Sequence, residues 1–329
     1  MPVIIHTARE RGLFEANDER KTHLEQVSSF GGIGIIAAFS IPILLLIYSG
    51  TNKAVAAFGL AIPLFLISLL DDIFGLRVTY RFIVHALLGS TLYLMGFSVL
   101  DLSSYPIFDA VSTIVFTILL INAYNLIDGI NGLAGGLGII SAVVFGMALA
   151  QQGQHDMALA CFSFAGALLG YLNFNFGKKA LIFMGDNGST VLGYLTAIMA
   201  LAFLNSDATN GAIVYNYALV LAVVSVPVAD VFKVAIMRFL KGKSPFRPDR
   251  THIHHLYTDK LLTHPTACLL LYGWTLTQVA LAILLPSAYS FQTIGILTIV
   301  PYLFVKALRS TKELLESPGA RWRVDRDNG

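Results

Sequence analysis

Ten stretches of this chain are almost wholly apolar, at about residues 33 to 49, 54 to 70, 82 to 100, 110 to 127, 133 to 150, 157 to 174, 190 to 205, 213 to 237, 267 to 286 and 289 to 305. Each approaches the ~20 residues that a helix needs to cross the hydrocarbon core of a bilayer. No strand-like alternation runs through them, which removes a β-barrel. A backbone in lipid must satisfy its own hydrogen bonds, which leaves helices. The pattern predicts an all-α polytopic membrane bundle of about ten transmembrane helices over residues 33–305. Residues 1–32 are charged and have no apolar core after Met-Pro-Val-Ile-Ile5, so they predict an amphipathic or extended lead-in, neither signal peptide nor membrane helix. The longest polar connection is 238–266, and residues 306–329 form a basic tail.

Composition agrees with that pattern. Of 329 residues, 56% are hydrophobic and 13% charged, with a mean hydropathy of +0.70, whereas a soluble domain carries about a quarter charged residues. A net charge of +2 gives no argument for a nucleic-acid partner, and none is expected. The distribution of charge says more than its sum. If the N-terminus is cytoplasmic, the connections 71–81, 128–132, 175–189 and 238–266 and the tail share its side. They hold nearly all the Lys and Arg residues, while Lys53 is the one basic residue in the opposite connections. That bias orients the bundle by the positive-inside rule. Cys161 and Cys268 lie in apolar runs with no second cysteine at ligand spacing, and read as small buried hydrophobes.

The unusual polar clusters fall on the cytoplasmic side. Asn122, Asn125 and Asp128 end an apolar segment at spacing i, i+3, i+6, which keeps them within roughly 120° of arc on a helix. An ionisable group at the end of a membrane helix marks a candidate site. Asp71 and Asp72 are adjacent at another helix end, where two carboxylates repel unless a cation, a proton or a basic partner offsets them. The plain alternative is a solvated end with Arg77 and Arg81 as ion partners. Gly185-Asp-Asn-Gly-Ser189 opens a helix, where free amides favour an anion and Asp186 adds a hard oxygen ligand. Mg²⁺ held by one or two carboxylates plus substrate phosphates suits that combination; the alternative is a helix cap in a glycine turn. Arg247-Pro-Asp-Arg-Thr-His-Ile-His-His255 lacks the cysteines and the spacing of a zinc site and reads as a phosphate-binding basic surface. Phe30-Gly-Gly-Ile-Gly34 lacks the βαβ context of a dinucleotide fold, and Gly135, Gly136 and Gly138 read as close helix packing. A transporter would place its polar groups nearer the midplane.

Taken in order, Glu19-Arg-Lys-Thr-His23, Gly31-Gly-Ile-Gly34, Asp71-Asp72, Asn122 to Leu133, Gly185 to Ser189 and Arg247 to His255 resemble the polyprenyl-phosphate N-acetylhexosamine-1-phosphate transferase family, the MraY and WecA group. Ser244 to His255 is closer to the WecA-like branch. The resemblance covers nearly the whole chain. It implies transfer of an N-acetylhexosamine-1-phosphate, with GlcNAc-1-phosphate foremost, from a UDP-N-acetylhexosamine to undecaprenyl phosphate. UMP is released in this first membrane step of a cell-envelope polysaccharide such as lipopolysaccharide. It further implies a Mg²⁺ cofactor, with Mn²⁺ able to substitute, and a multi-pass protein of the bacterial inner membrane, among membrane lipids, with a cytoplasmic site. Dimerisation is a family-based expectation. Carried onto this sequence, Asp186 is the metal ligand, and Asp71, with Asp72 beside it, is the base or positioning group for the lipid phosphate. Asp128 is a further catalytic acid that faces the nucleotide with Asn122 and Asn125. Arg250, His252, His254 and His255 face the diphosphate, and Lys21 and His23 match the early basic motif. Many members carry a second acid where this chain has Asn131. WecA-like chains commonly have one more membrane helix before Arg20-Lys-Thr-His23, and Met1 to Ile5 looks like its end. The competing readings are the same chemistry on another UDP-amino sugar and a lipid or sugar transporter.

Overall fold

In the computed structural model the structure describes residues 1–11, 27–48, 50, 53–75, 77–100, 102, 104–177, 179–206, 212–240, 262–300 and 303. The described residues form α1 (Pro2–Glu10), α2 (Gly31–Tyr48), α3 (Lys53–Gly59), α4 (Ala61–Phe74), α5 (Val78–Leu94) and α6 (Pro106–Ile127). They continue as α7 (Leu133–Gln151), α8 (His155–Asn175), α9 (Gly185–Leu204), α10 (Ala212–Leu240), α11 (His264–Leu284) and α12 (Ser287–Leu297). Among the described residues, helix falls within each of the ten predicted apolar segments. Eight stretches are long and apolar enough to cross a membrane, with α3 and α4 counted together as Val55–Asp72. The other two, α5 with 17 residues and the described α12 with 11, are shorter than that. The protein is an all-α, multi-pass membrane bundle.

Local sequence explains the departures from unbroken spans. The second apolar segment divides at Leu60, between α3 and α4, and Pro63 in the first turn of α4 has no N–H to return to residue 59. The described part of the lead-in includes α1, which buries Ile5 and Ala8 and lays Met1 against Gly34 of α2.

α9 is the axis of the bundle. Its membrane-length window is 94% buried, and α2, α4, α6, α7 and α10 pack around it. A helix enclosed on all sides must be apolar all round, and it needs small residues where neighbours cross. Gly193 is such a crossing, because a methyl group there would lie 2.5 Å from the Cα of Ile121 on α6. Leu44, Leu66, Leu87, Ile107, Val115 and Leu169 point outward, as side chains facing lipid do.

One end of the bundle is latched shut. Ser98 Oγ donates to buried Asp109 at 2.5 Å, the Val99 N–H donates to Thr113 at 3.1 Å, and Asn205 both accepts from Ser98 N–H and donates to its carbonyl. Tyr217 Oη donates to the Val99 carbonyl at 2.5 Å, and Ser206 bonds Gln152.

Candidate active site

The opposite end brings together the last turns of α4 and α6 with the first turns of α2, α5 and α9. α4 stops because Gly75 takes a left-handed φ of 64° and closes its N–H on the Asp71 carbonyl at 2.7 Å. That leaves Asp71 and Asp72 in the final turn, Asp71 buried and Asp72 exposed. Arg81 of α5 places Nε 2.7 Å from Asp71 Oδ2 and Nη1 3.8 Å from Asp186 Oδ2. One guanidinium therefore stands between carboxylates more than a hundred residues apart in sequence. The repulsion expected of the adjacent acids is resolved unequally: Asp71 pairs with Arg81, while Asp72 Oδ2 accepts from Asn187 Nδ2 at 2.7 Å and also receives its backbone N–H. The carboxylate on the opening turn of α9 is thus Asp72 itself. Asp186 is left with 60% of its side chain exposed.

The glycine-rich start of α2 makes this junction close enough. Gly31 and Gly32 donate to the carbonyls of Phe183 and Met184 at 2.9 Å, and Phe183 N–H returns to Ser28 O at 2.8 Å. A methyl on Gly32 would lie 2.1 Å from Asn187 Oδ1. Gly185, at φ 77°, would bring one to 2.2 Å from Ser29 O, so neither position accepts a side chain in this packing.

The amides of α6 divide their roles. Asn122 Nδ2 bonds back to Ile118 O at 2.7 Å within its own helix. Asn125 Nδ2 donates to Ser189 Oγ at 2.9 Å, and that hydroxyl donates to the Asp186 carbonyl at 3.3 Å, joining the end of α6 to the start of α9. Asp128 caps α6 with a non-helical ψ of 50° and lies within electrostatic reach of buried Tyr171. Tyr171 also stands against Gly31 and Gly135. Asn131, where the family resemblance leads one to expect an acid, is buried. Its Nδ2 donates to Gly177 O at 3.1 Å, its N–H to His264 Nδ1 at 3.4 Å, and its carbonyl accepts from Cys268 Sγ at 3.3 Å. The next residue is held as firmly: Gly132 N–H donates to Asn175 Oδ1 at 2.6 Å and Gly132 O accepts from Tyr272 Oη at 2.5 Å. Asn131 and Gly132 together therefore fix the turn after Asp128 to α8 and α11.

A cleft between α4, α5 and α9 runs from an apolar wall of Leu64, Ile67 and Val84 to a polar one of Asp71, Arg81 and Asp186. Among the described residues no three His, Cys, Asp or Glu side chains are grouped so as to hold a metal. A cation here would need ligands from a substrate beside Asp186, the arrangement typical of Mg²⁺ bound with phosphates. Asp71, Asp72, Asn125, Asp128 and Asp186 thus lie at one end of the bundle with Asn122 beside them. Lys21, His23, Arg250, His252, His254 and His255 lie outside the described residues. The sequence named Arg81 only as an ion partner of Asp71 and Asp72 at a solvated helix end, and gave no role to Asn187 or His85. A buried His one turn after Arg81 in an apolar helix was the available signal.

Comparison with known proteins places this geometry in a family. The profile described as glycosyl transferase family 4 matches residues 54–204. The undecaprenyl-phosphate alpha-N-acetylglucosaminyl 1-phosphate transferase of Yersinia pestis is 35% identical over 263 residues, covering 74% of this chain and 69% of the relative. The protein of the same name in Escherichia coli K12 is 31% identical over 261 residues, covering 76% and 70%. A decaprenyl-phosphate N-acetylglucosaminephosphotransferase of Mycolicibacterium smegmatis is 32% identical over 292 residues, covering 78% and 71%. At that identity over most of both chains, the protein belongs to glycosyl transferase family 4, the family of these polyprenyl-phosphate N-acetylhexosamine-1-phosphate transferases.

Proposed function

We propose that this protein transfers GlcNAc-1-phosphate from UDP-GlcNAc to undecaprenyl phosphate at the cytoplasmic face of the bacterial inner membrane, releasing UMP. The observation that carries the reading is the Arg81 guanidinium between Asp71 and Asp186, at the mouth of a cleft that is apolar on one wall and charged on the other. An oxygen of the lipid phosphate attacks the sugar-bearing phosphorus of the donor. The bond from that phosphorus to the uridylyl oxygen breaks, and UMP leaves with the bonding pair.

Both partners are anions, so holding them in line and offsetting their charge is the main task of the site. Arg81 draws the lipid phosphate toward Asp71, which fixes the guanidinium from its buried side. Asn125 and Ser189 tie α6 to α9, and Asn122, Asn125 and Asp128 at the end of α6 serve the nucleotide of the donor. Asp186, exposed beside the first turn of α9, is the residue that would hold Mg²⁺ together with the donor diphosphate. When bound, that cation supplies charge neutralisation on the reacting phosphoryl oxygens.

The test is transfer of radiolabelled sugar from UDP-GlcNAc to undecaprenyl phosphate by the purified protein, with UMP followed in parallel. Equal amounts of lipid-linked sugar phosphate and UMP are expected. Transfer from a different UDP-amino sugar in preference to UDP-GlcNAc would replace the donor assignment. The absence of any lipid-linked product, with labelled lipid or sugar crossing a vesicle membrane, would replace the reaction by transport.

A further inference from the structure

The cleft contains a polar group that the reading above does not use. His85 lies one helical turn after Arg81 on α5, so the two side chains leave the helix on the same face. His85 is only 7% exposed and lines the cleft alongside Asp71, Arg81 and Thr190. Its Nδ1 is buried without a hydrogen-bond partner among the described residues, while its ring packs against Phe82 at 6.4 Å between centroids. Buried polar atoms are nearly always paired, and one left unpaired bears its full desolvation penalty. An unpaired ring nitrogen on a residue that lines a cleft points to a partner that arrives with a ligand.

The dimensions select the ligand. The free volume of the cleft, about 30 Å³, is room for about two water molecules. A small polar head fits between Arg81 and His85 in that space. Its apolar wall includes Ile67, 36% exposed on a stretch long and apolar enough to cross a membrane, a surface suited to a hydrocarbon chain. An anionic head on a hydrocarbon tail fits both walls.

We infer that His85 is a second anchor for the phosphate of the lipid acceptor, donating a hydrogen bond from Nδ1–H to a phosphate oxygen while Arg81 supplies the charge. A neutral imidazole can present either ring nitrogen as the donor, so the bond requires no change in the protonation of His85. The inference rests on the reaction proposed above, in that the lipid phosphate is taken to be the acceptor.

The experiment compares His85→Leu and His85→Gln with the wild type in lipid nanodiscs, by acceptor and donor saturation and by thermal stabilisation with undecaprenyl phosphate alone. Loss of a hydrogen bond to a charged group predicts that His85→Leu raises KM for undecaprenyl phosphate by about tenfold or more, with KM for UDP-GlcNAc unchanged. His85→Gln, which restores an N–H donor, recovers most of that. Without donor or metal, undecaprenyl phosphate stabilises the wild type and His85→Gln more than undecaprenol does, and this difference disappears in His85→Leu. Unchanged acceptor KM and unchanged stabilisation in His85→Leu would overturn the inference, as would equal stabilisation by inorganic phosphate, which would mark a free-anion site. If the wild type transfers no sugar, the proposed reaction fails, and the stabilisation measurement alone decides whether His85 holds a lipid phosphate.

Discussion

The two ends of the bundle use the same kinds of residue to opposite effect. At the latched end, Ser98, Asp109, Thr113 and Asn205 satisfy one another, and Asp109 is buried. At the other, Asp186 is exposed, His85 Nδ1 and Asn187 Oδ1 are buried without hydrogen-bond partners among the described residues, and Arg81 is shared between two acids. A polar cluster whose members answer each other holds helices together. One that leaves capacity over is built for something that comes and goes.

That contrast predicts different consequences for removing an acid at each end. Asp186→Asn is expected to reduce sugar transfer by about a hundred- to a thousandfold, the scale of losing a preorganised electrostatic contact. The amount of inserted protein should stay unchanged by quantitative membrane blotting. Next in size, Arg81→Met is expected to lower kcat/KM for undecaprenyl phosphate by about ten- to a hundredfold, the scale of losing one charged hydrogen bond. Steady-state kinetics with the acceptor varied would show it. Asp109→Ala is expected to cost about 1–3 kcal/mol of stability by leaving Ser98 Oγ–H and the Leu100 N–H unanswered. It should leave the specific activity of the folded fraction intact, and thermal unfolding followed by residual activity would separate the two. Smallest, Tyr272→Phe removes one bond to the turn after Asp128, about 1 kcal/mol, visible as a modest fall in the thermal midpoint. A large loss of activity in Asp109→Ala, or of stability rather than activity in Asp186→Asn, would erase the distinction between the ends.

The sequence carried the architecture because length and apolarity alone decide which segments meet lipid. It also placed Asp71, Asp128 and Asp186 at one end, since the positive-inside bias assigns their connections to one side. Pair geometry was beyond its reach. Arg81 was legible as an ion partner of the Asp71–Asp72 pair but not as a bridge to Asp186, because nothing in a sequence says that the start of α5 meets the start of α9. The Gly31–Gly32 pair could be recognised as unusual, yet its reason is the approach of Asn187 and Phe183, which only the packed helices supply. Asn131 read as a missing acid and proved to be a tether from the α6–α7 turn to α11 and to the segment after α8, since its partners Gly177, His264 and Cys268 lie 46 to 137 positions away.

We propose that Asp186 and the diphosphate of the donor together hold one divalent cation at the open end. Binding of Mn²⁺, followed by electron paramagnetic resonance with and without UDP-GlcNAc, tests it most directly. The account predicts tight binding by the wild type and by Asp109→Ala only when the nucleotide sugar is present, and its loss in Asp186→Asn. Nucleotide-dependent Mn²⁺ binding that survives in Asp186→Asn would contradict it.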